Sequence, residues 1–157
     1  MPAASHSAVT NASATAIWAR LADLASWPRL LHLQYADESV QLAHPEVSKD
    51  DPVGLGAEFV MKGRLPYRLF ARITDWQPQR RLEFEIYRSE YPSDRLTFGR
   101  ARISIELEAT DDGRTRVTCE HRLWGRGPLG RVYATTVMRP LLKSNVQRIV
   151  DGLTASG

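Results

Sequence analysis

The segment Arg116–Gly125, RVTCEHRLWG, decides the fold, because apolar and polar residues alternate along it with a period of two. The odd positions carry the side chains that suit an interior, namely Val117, Cys119, His121 and Leu123. The even positions from 116 to 122 carry a threonine, a glutamate and two arginines. Successive side chains of a strand point to opposite faces of its sheet, so the pattern predicts a strand with one buried and one solvated face.

The same period of two runs through the chain from residue 57 onward. The side chains predicted to share the inner face are Ala57, Phe59, Met61, Tyr67, Leu69, Ala71, Ile73, Leu82, Phe84, Ile86, Ala101, Ile103, Ile105 and Leu107. Connections such as QPQR and TDDGR are too short for a crossover and favour hairpins. The sequence therefore predicts an antiparallel sheet with one apolar face.

The opposite face of the predicted strands is rich in charge. Arginines and glutamates alternate on neighbouring strands, as expected for cross-strand pairs in water. The net charge of +3 could suggest a nucleic-acid partner. A nucleic-acid site needs a patch of one sign with interleaved aromatic residues, so we favour a solvated face and expect no nucleic-acid partner.

Two helices are predicted near the start of the chain. Ser13 can cap the first, in which Ile17, Leu21 and Leu24 recur at helical spacing. In the segment SWPRLLHL, residues 26–33, the serine can cap a second, short helix with a proline in its first turn.

The segment Leu129–Leu153 is predicted to be a long final helix that covers the apolar face of the sheet. Its apolar stripe consists of Leu129, Val132, Val137, Leu141, Asn145, Ile149 and Leu153. Pro140 interrupts the segment and predicts a kink near Arg139. One helix is narrower than a sheet of six or seven strands, so a gap lined by apolar side chains can remain between them.

Length and composition indicate one soluble domain over residues 1–157. No apolar run reaches the length of a membrane span and the first residues do not look like a signal peptide, so we expect no stable membrane insertion. A single cysteine cannot form an internal disulfide, and we expect a cytoplasmic protein.

Several segments together resemble the START-like superfamily of polyketide cyclase/dehydrase and lipid-transport proteins, whose helix-grip fold is also that of the birch-pollen allergens. The opening NASATAIWARLADLASWPRL resembles its helix pair, and VGLGAEFVM its glycine-led strand. ARITDWQPQRRLEFEI resembles its hairpin with a tryptophan and P-x-R-R-L. The resemblance covers nearly the whole chain and implies an α+β helix-grip fold, with about seven strands, two short helices and a long C-terminal helix.

The resemblance also implies an internal cavity for a hydrophobic or aromatic small molecule and no cofactor. The alternation predicts which side chains line it. From the sheet these are Phe59, Tyr67, Leu69, Phe84, Ile86, Ile103, Cys119, His121 and Leu123, from the helix Val137 and Leu141, and at the rim Trp27. Without the resemblance, close packing of protein interiors would favour a solid core.

Cys119 and His121 are neighbours on the predicted inner face. Residues two apart on a strand are separated by about 6.6–6.8 Å along it, too far for an activated thiol and its base. We interpret Cys119 as a small buried side chain. His121 needs a partner, which could be Tyr67, Asn145, a water or a ligand, and it is the candidate acid/base residue if the protein is an enzyme.

Charged candidates are few. Arg88 is in phase with Leu82, Phe84 and Ile86, so it could reach an acidic ligand group at the mouth, or it could extend into water. The histidines share no metal-ligand spacing, and we expect no metal.

Three classes of function remain open. A binding or transport protein for a lipid or polyketide-like molecule needs only the cavity, an aromatase/cyclase-type enzyme also needs a positioned acid/base, and an accessory protein needs an exposed patch. The sequence favours binding or transport, and leaves open whether the protein is a monomer or a dimer.

Overall fold

A computed structural model describes residues 3–23, 39–42, 54–62 and 66–155. The predicted second short helix, together with Trp27, lies outside these residues. The described chain has the α+β architecture that the sequence predicts, with a curved antiparallel sheet and a C-terminal helical segment packed on its inner face.

The sheet has seven described strands in the order β1-β7-β6-β5-β4-β3-β2, and each neighbouring pair is antiparallel. Strands β2 to β7 follow one another as a meander, and β1 pairs with β7. The strand bounds are β1 Ala3–Thr10, β2 Ser39–Leu42, β3 Glu58–Lys62, β4 Arg68–Gln77, β5 Arg81–Ser89, β6 Phe98–Ala109 and β7 Thr115–Gly125.

The alternation of buried and exposed side chains that the sequence predicts from residue 57 onward is confirmed in β3 to β7. In β7 the odd positions from Thr115 to Leu123 are buried, whereas the even positions are partly or fully exposed. The same holds for Leu82, Phe84 and Ile86 in β5. The inner face is therefore buried and mainly apolar from β3 to β7.

The outer face carries the predicted charge pairs. Arg72 on β4 binds Glu58 on β3 at 2.6 Å, and Arg102 on β6 binds Glu85 on β5 at 3.2 Å. Exposed pairs of this kind contribute little stability each. Their effect here is to keep the outer face solvated and the inner face as the only apolar side of the described sheet.

Helix α1, Ala14–Leu21, packs at one end of the sheet. The Ser13 side chain accepts a hydrogen bond from the Ala16 amide at 3.1 Å, which confirms the predicted cap. Trp18 contacts Trp76 of β4 edge-on, with ring centroids 4.8 Å apart. This end of the sheet is closed by packed side chains.

The predicted final helix is two helices, α2 Gly127–Thr136 and α3 Arg139–Thr154. Pro140 lies in the first turn of α3, where its missing N–H costs little, so the proline marks a new helix start. The break falls where the kink was predicted.

The break changes which side chains of the predicted stripe are buried. Leu129, Val132 and Val137 are 77%, 62% and 58% exposed, so their predicted burial is wrong. Helix α2 instead turns Gly130 and Ala134 toward the sheet. In α3 the prediction holds better, because its buried residues are Leu142, Asn145, Val146, Ile149, Val150 and Leu153.

Candidate functional site

A pocket lies on the inner face at the end of the sheet opposite α1. Here β4 and β6 begin and β5 and β7 end, and the junction of α2 with α3 passes over them. The pocket has a volume of about 60 Å³. Its described lining consists of Leu69, Ile86, Asp94, Thr97, Phe98, Ala101, Ile103, His121, Leu123, Tyr133, Met138, Leu141, Leu142 and Asn145.

The floor of the pocket comes from neighbouring strands in register. Ile103 on β6 is paired with His121 on β7, and Ala101 is paired with Leu123. Directly paired residues point to the same face, so these four side chains form one patch. The period of two in RVTCEHRLWG is thus what brings His121 into the pocket.

The roof comes from the helices, and the break between them shapes it. Tyr133 approaches from α2, Met138 lies in the break, and Leu141, Leu142 and Asn145 come from the first turns of α3. In a continuous helix the side chains of Tyr133 and Leu142, nine positions apart, would point to opposite sides. The break therefore allows residues of both helices to line the same pocket.

The position of α2 depends on a close approach between backbones. A Cβ atom on Gly125 would lie 2.1 Å from the Gly130 carbonyl oxygen, and one on Gly130 would lie 2.6 Å from the Thr97 carbonyl oxygen. The Arg126 amide also donates to the Thr97 carbonyl at 2.8 Å. Glycine at these two positions therefore holds α2 against the loop that lines the mouth of the pocket.

That loop contains a 3-10 helix, Pro92–Asp94, which presents one acidic group to the pocket. The hydroxyl of Ser89 donates to the Asp94 carboxylate. Burial raises the pKa of Asp94, and the Ser89 hydrogen bond opposes this effect. Among the described lining residues there is no lysine or arginine to neutralise this carboxylate.

His121 and Asn145 are the two buried polar side chains of the lining, at 6% and 3% exposure. Burial lowers the pKa of His121 to about 4, so the imidazole is neutral near pH 7. Within the described chain, neither the His121 Nδ1 nor the Asn145 Oδ1 has a hydrogen-bond partner. Two side chains that line the pocket thus each carry a buried polar atom without a hydrogen-bond partner.

Cys119 does not belong to the described lining of the pocket. It is fully buried on the inner face, two residues from His121, and burial raises the pKa of its thiol. Its predicted role as a small buried side chain fits this environment, since a thiol that cannot ionise is a poor nucleophile.

A sequence profile of the polyketide cyclase/dehydrase and lipid transport family matches residues 1–156. The chain belongs to this family. No curated protein matches the sequence significantly.

Solved structures of several bacterial proteins share the fold of this polyketide cyclase/dehydrase and lipid transport family member. A hypothetical protein of Helicobacter pylori has a TM-score of 0.68 at 15% identity, over 98% of this chain and 86% of the other. A protein of Thermus thermophilus has a TM-score of 0.65 at 16% identity, over 98% and 94%. A protein of Thermobifida fusca has a TM-score of 0.61 at 16% identity, over 98% and 93%. At this identity the likeness concerns the fold alone.

Some of the residues predicted to line a cavity in this family member line the pocket, and others belong to the packed core. The predicted residues that line the pocket are Leu69, Ile86, Ile103, His121, Leu123 and Leu141. Phe59 and Phe84 are instead fully buried against each other, with ring centroids 5.5 Å apart. Tyr67 is half-buried and contacts Tyr91 at 5.2 Å between centroids. The inner face is therefore packed at the α1 end and has the pocket at the other end.

Two of the predicted ligand-binding residues, Arg88 and Val137, are not among the described lining residues of the pocket. Arg88 is exposed, and its guanidinium carbon lies 4.7 Å above the centroid of Phe70, its neighbour on the outer side of the sheet. The register shifts between Phe70 and Ala71, so the alternation that places Ile86 inside does not extend to Arg88. Val137 is exposed because it lies at the break between α2 and α3.

The residues at the mouth of the pocket were not predicted from the sequence. Asp94 and Thr97 lie in a loop with no periodic pattern, and Tyr133 and Met138 do not fall on the predicted stripe. Pro140 is the signal that could have identified the pocket residues of the helices. Interpreted as the start of a new helix, it means that the helical spacing of the apolar stripe does not continue across it.

Among the described residues, no group of three histidine, cysteine, aspartate or glutamate side chains is placed to hold a metal ion. No helix in the same part of the chain is long and apolar enough to cross a membrane.

Proposed function

We propose that this protein binds or carries a hydrophobic or aromatic small molecule in the pocket between β4–β7 and the α2–α3 junction. The observation that carries the proposal is the pocket itself, which is lined mostly by apolar side chains in a protein interior that is otherwise close-packed at the α1 end. Ligand sites typically combine apolar walls with a few convergent polar groups, and His121 and Asn145 supply such groups here.

The size of the pocket limits what it encloses. A volume of about 60 Å³ holds several water molecules or one small group, since a single water needs about 10–15 Å³ on a comparable measure. A lipid or polyketide-like ligand would therefore place one end inside and extend past Asp94 and Tyr133, or would move the α2–α3 junction outward.

The test uses an environment-sensitive hydrophobic dye and two truncations in the same helix. Leu142 lines the pocket, whereas Val146, one turn later, is equally buried but does not. Both Leu142→Ala and Val146→Ala should destabilise the protein, and for the leucine about 2–5 kcal/mol is typical. Only Leu142→Ala should change the affinity of saturable dye binding. Dye binding that is absent, or equally affected by both variants, would contradict the proposal.

An enzyme of the aromatase/cyclase type is the second candidate, and the position of His121 in the pocket favours it. A general base works best when its pKa lies near the working pH, whereas that of His121 is about 4. This makes it a weak base in the empty pocket, so we place binding first. The enzyme would become the first candidate if the protein turned over an aromatic or polyketide-like substrate and His121→Gln abolished this turnover while substrate binding was retained.

A further inference from the structure

Two side chains of the pocket lining, His121 and Asn145, each carry a buried polar atom without a partner, and these atoms indicate the chemical group that a ligand would supply. His121 comes from β7 and Asn145 from α3, so sheet and helix each present one polar group to the same small space. Buried polar atoms are almost always hydrogen-bonded in native proteins, and leaving them unpaired costs free energy. Two such atoms in one pocket point to a partner that binds there.

The hydrogen-bond donors and acceptors of the two side chains limit which chemical groups can pair with both of them. The Asn145 Oδ1 only accepts hydrogen bonds, so its partner must donate. The neutral imidazole of His121 has one N–H donor and one acceptor nitrogen, so its Nδ1 can take either role. A hydroxyl both donates and accepts and can satisfy both atoms, whereas a ketone or ether oxygen has no proton for Asn145.

The charges around the pocket argue against an ionised group at the polar end of the ligand. A carboxylate has no proton to donate, and no lysine or arginine appears among the described lining residues to neutralise it. The Asp94 carboxylate at the mouth adds repulsion. An ammonium group could pair with Asp94 only at the mouth. Beside His121 and Asn145 it would lose its water among apolar walls and next to a neutral imidazole, which is strongly unfavourable.

We propose that the ligand is a neutral apolar molecule with a hydroxyl group, an alcohol or phenol, that hydrogen-bonds His121 and Asn145 while its hydrocarbon part contacts Ile103, Leu123 and Leu142. This rests on the proposed function, because it assigns the polar end of the molecule that the pocket binds. A site built to pair a hydroxyl rejects analogues that lack it, since its own polar atoms are then left unpaired.

The experiment compares three probes with the same ring system by displacement of the hydrophobic dye. 2-Naphthol can donate and accept, 2-methoxynaphthalene can only accept, and 2-naphthoate is an anion at pH 7. We expect 2-naphthol to bind at least tenfold more tightly than either of the others. In Asn145→Leu, which removes the acceptor at similar volume, the preference over 2-methoxynaphthalene should fall to about twofold or less.

The controls separate the two proposals. Val146→Ala, in the same helix but away from the pocket, should keep the tenfold preference. Asn145→Leu should also raise the melting temperature without ligand, because it removes an unpaired buried acceptor, and this readout shows that the variant is folded. Equal binding of all three probes, or tighter binding of 2-naphthoate, would overturn the hydroxyl assignment and leave the binding function standing. Failure of the dye itself to bind would refute both.

Discussion

The buried, neutral His121 should make the stability of the protein depend on pH in a defined direction. Burial lowers its pKa from 6.5 to about 4 in the folded chain, whereas the unfolded chain keeps the ordinary value. Between these values the unfolded state binds a proton that the folded state does not. Stability therefore falls as the pH drops from about 6.5 toward 4, and it is constant above 7 with respect to this residue.

The size of the effect follows from the two pKa values. Each pKa unit corresponds to about 1.4 kcal/mol, so the full loss below pH 4 is about 3 kcal/mol. At pH 5 the unfolded state is almost fully protonated at His121 and the folded state is not, which gives a loss of about 2 kcal/mol. This is a large part of the stability of a domain of this size.

The measurement is urea unfolding of the wild type and of His121→Gln at pH 7 and pH 5. Other groups titrate as well; the raised pKa of Asp94, for example, makes its contribution increase on acidification, opposite in sign to that of His121. These contributions occur in both proteins and cancel in the difference. We expect the wild type to lose about 2 kcal/mol more than the variant between the two pH values. Equal losses in both proteins would refute the burial of a neutral imidazole in this pocket.

Two further predictions concern packing near the pocket. Gly130→Ala should destabilise the protein by about 1–3 kcal/mol in urea unfolding, because its Cβ would lie 2.6 Å from the Thr97 carbonyl oxygen, whereas Gly54→Ala meets nothing within 4 Å and should have little effect. Equal effects of both variants would count against the close approach of α2. Cys119 should react with a thiol reagent only at the rate of unfolding, since it is fully buried with a raised pKa. Fast reaction in the native protein would show an exposed thiol.

Much of the fold could be predicted because a strand has only two faces. Once Val117 and Leu123 are assigned to the interior, Cys119 and His121 must follow, and the structure places all four there. The same reasoning located the inner faces of β3 to β6. It failed at Arg88, where a register shift that leaves no mark in the hydrophobic pattern ends the alternation.

The helical side and the pocket were harder to predict. The predicted apolar stripe through Leu129, Val132 and Val137 assumes one continuous helix. Because the helix breaks before Pro140, the helical spacing that defined the stripe does not hold across the break. The alternation also cannot tell a packed inward side chain such as Phe84 from a lining one such as Ile103, because both point inward. That distinction depends on how far the helices stand from the sheet, which is a tertiary property.

The claim that the pocket is the binding site is tested most directly by NMR of the isoleucine methyl groups with 2-naphthol added. Ile103 and Ile105 are successive inward residues of β6 and equally buried, but only Ile103 lines the pocket. We expect nuclear Overhauser contacts between the naphthalene protons and the Ile103 methyl groups, with none to Ile105. Contacts to Ile105 alone, or no contact to either while the probe binds elsewhere, would contradict it.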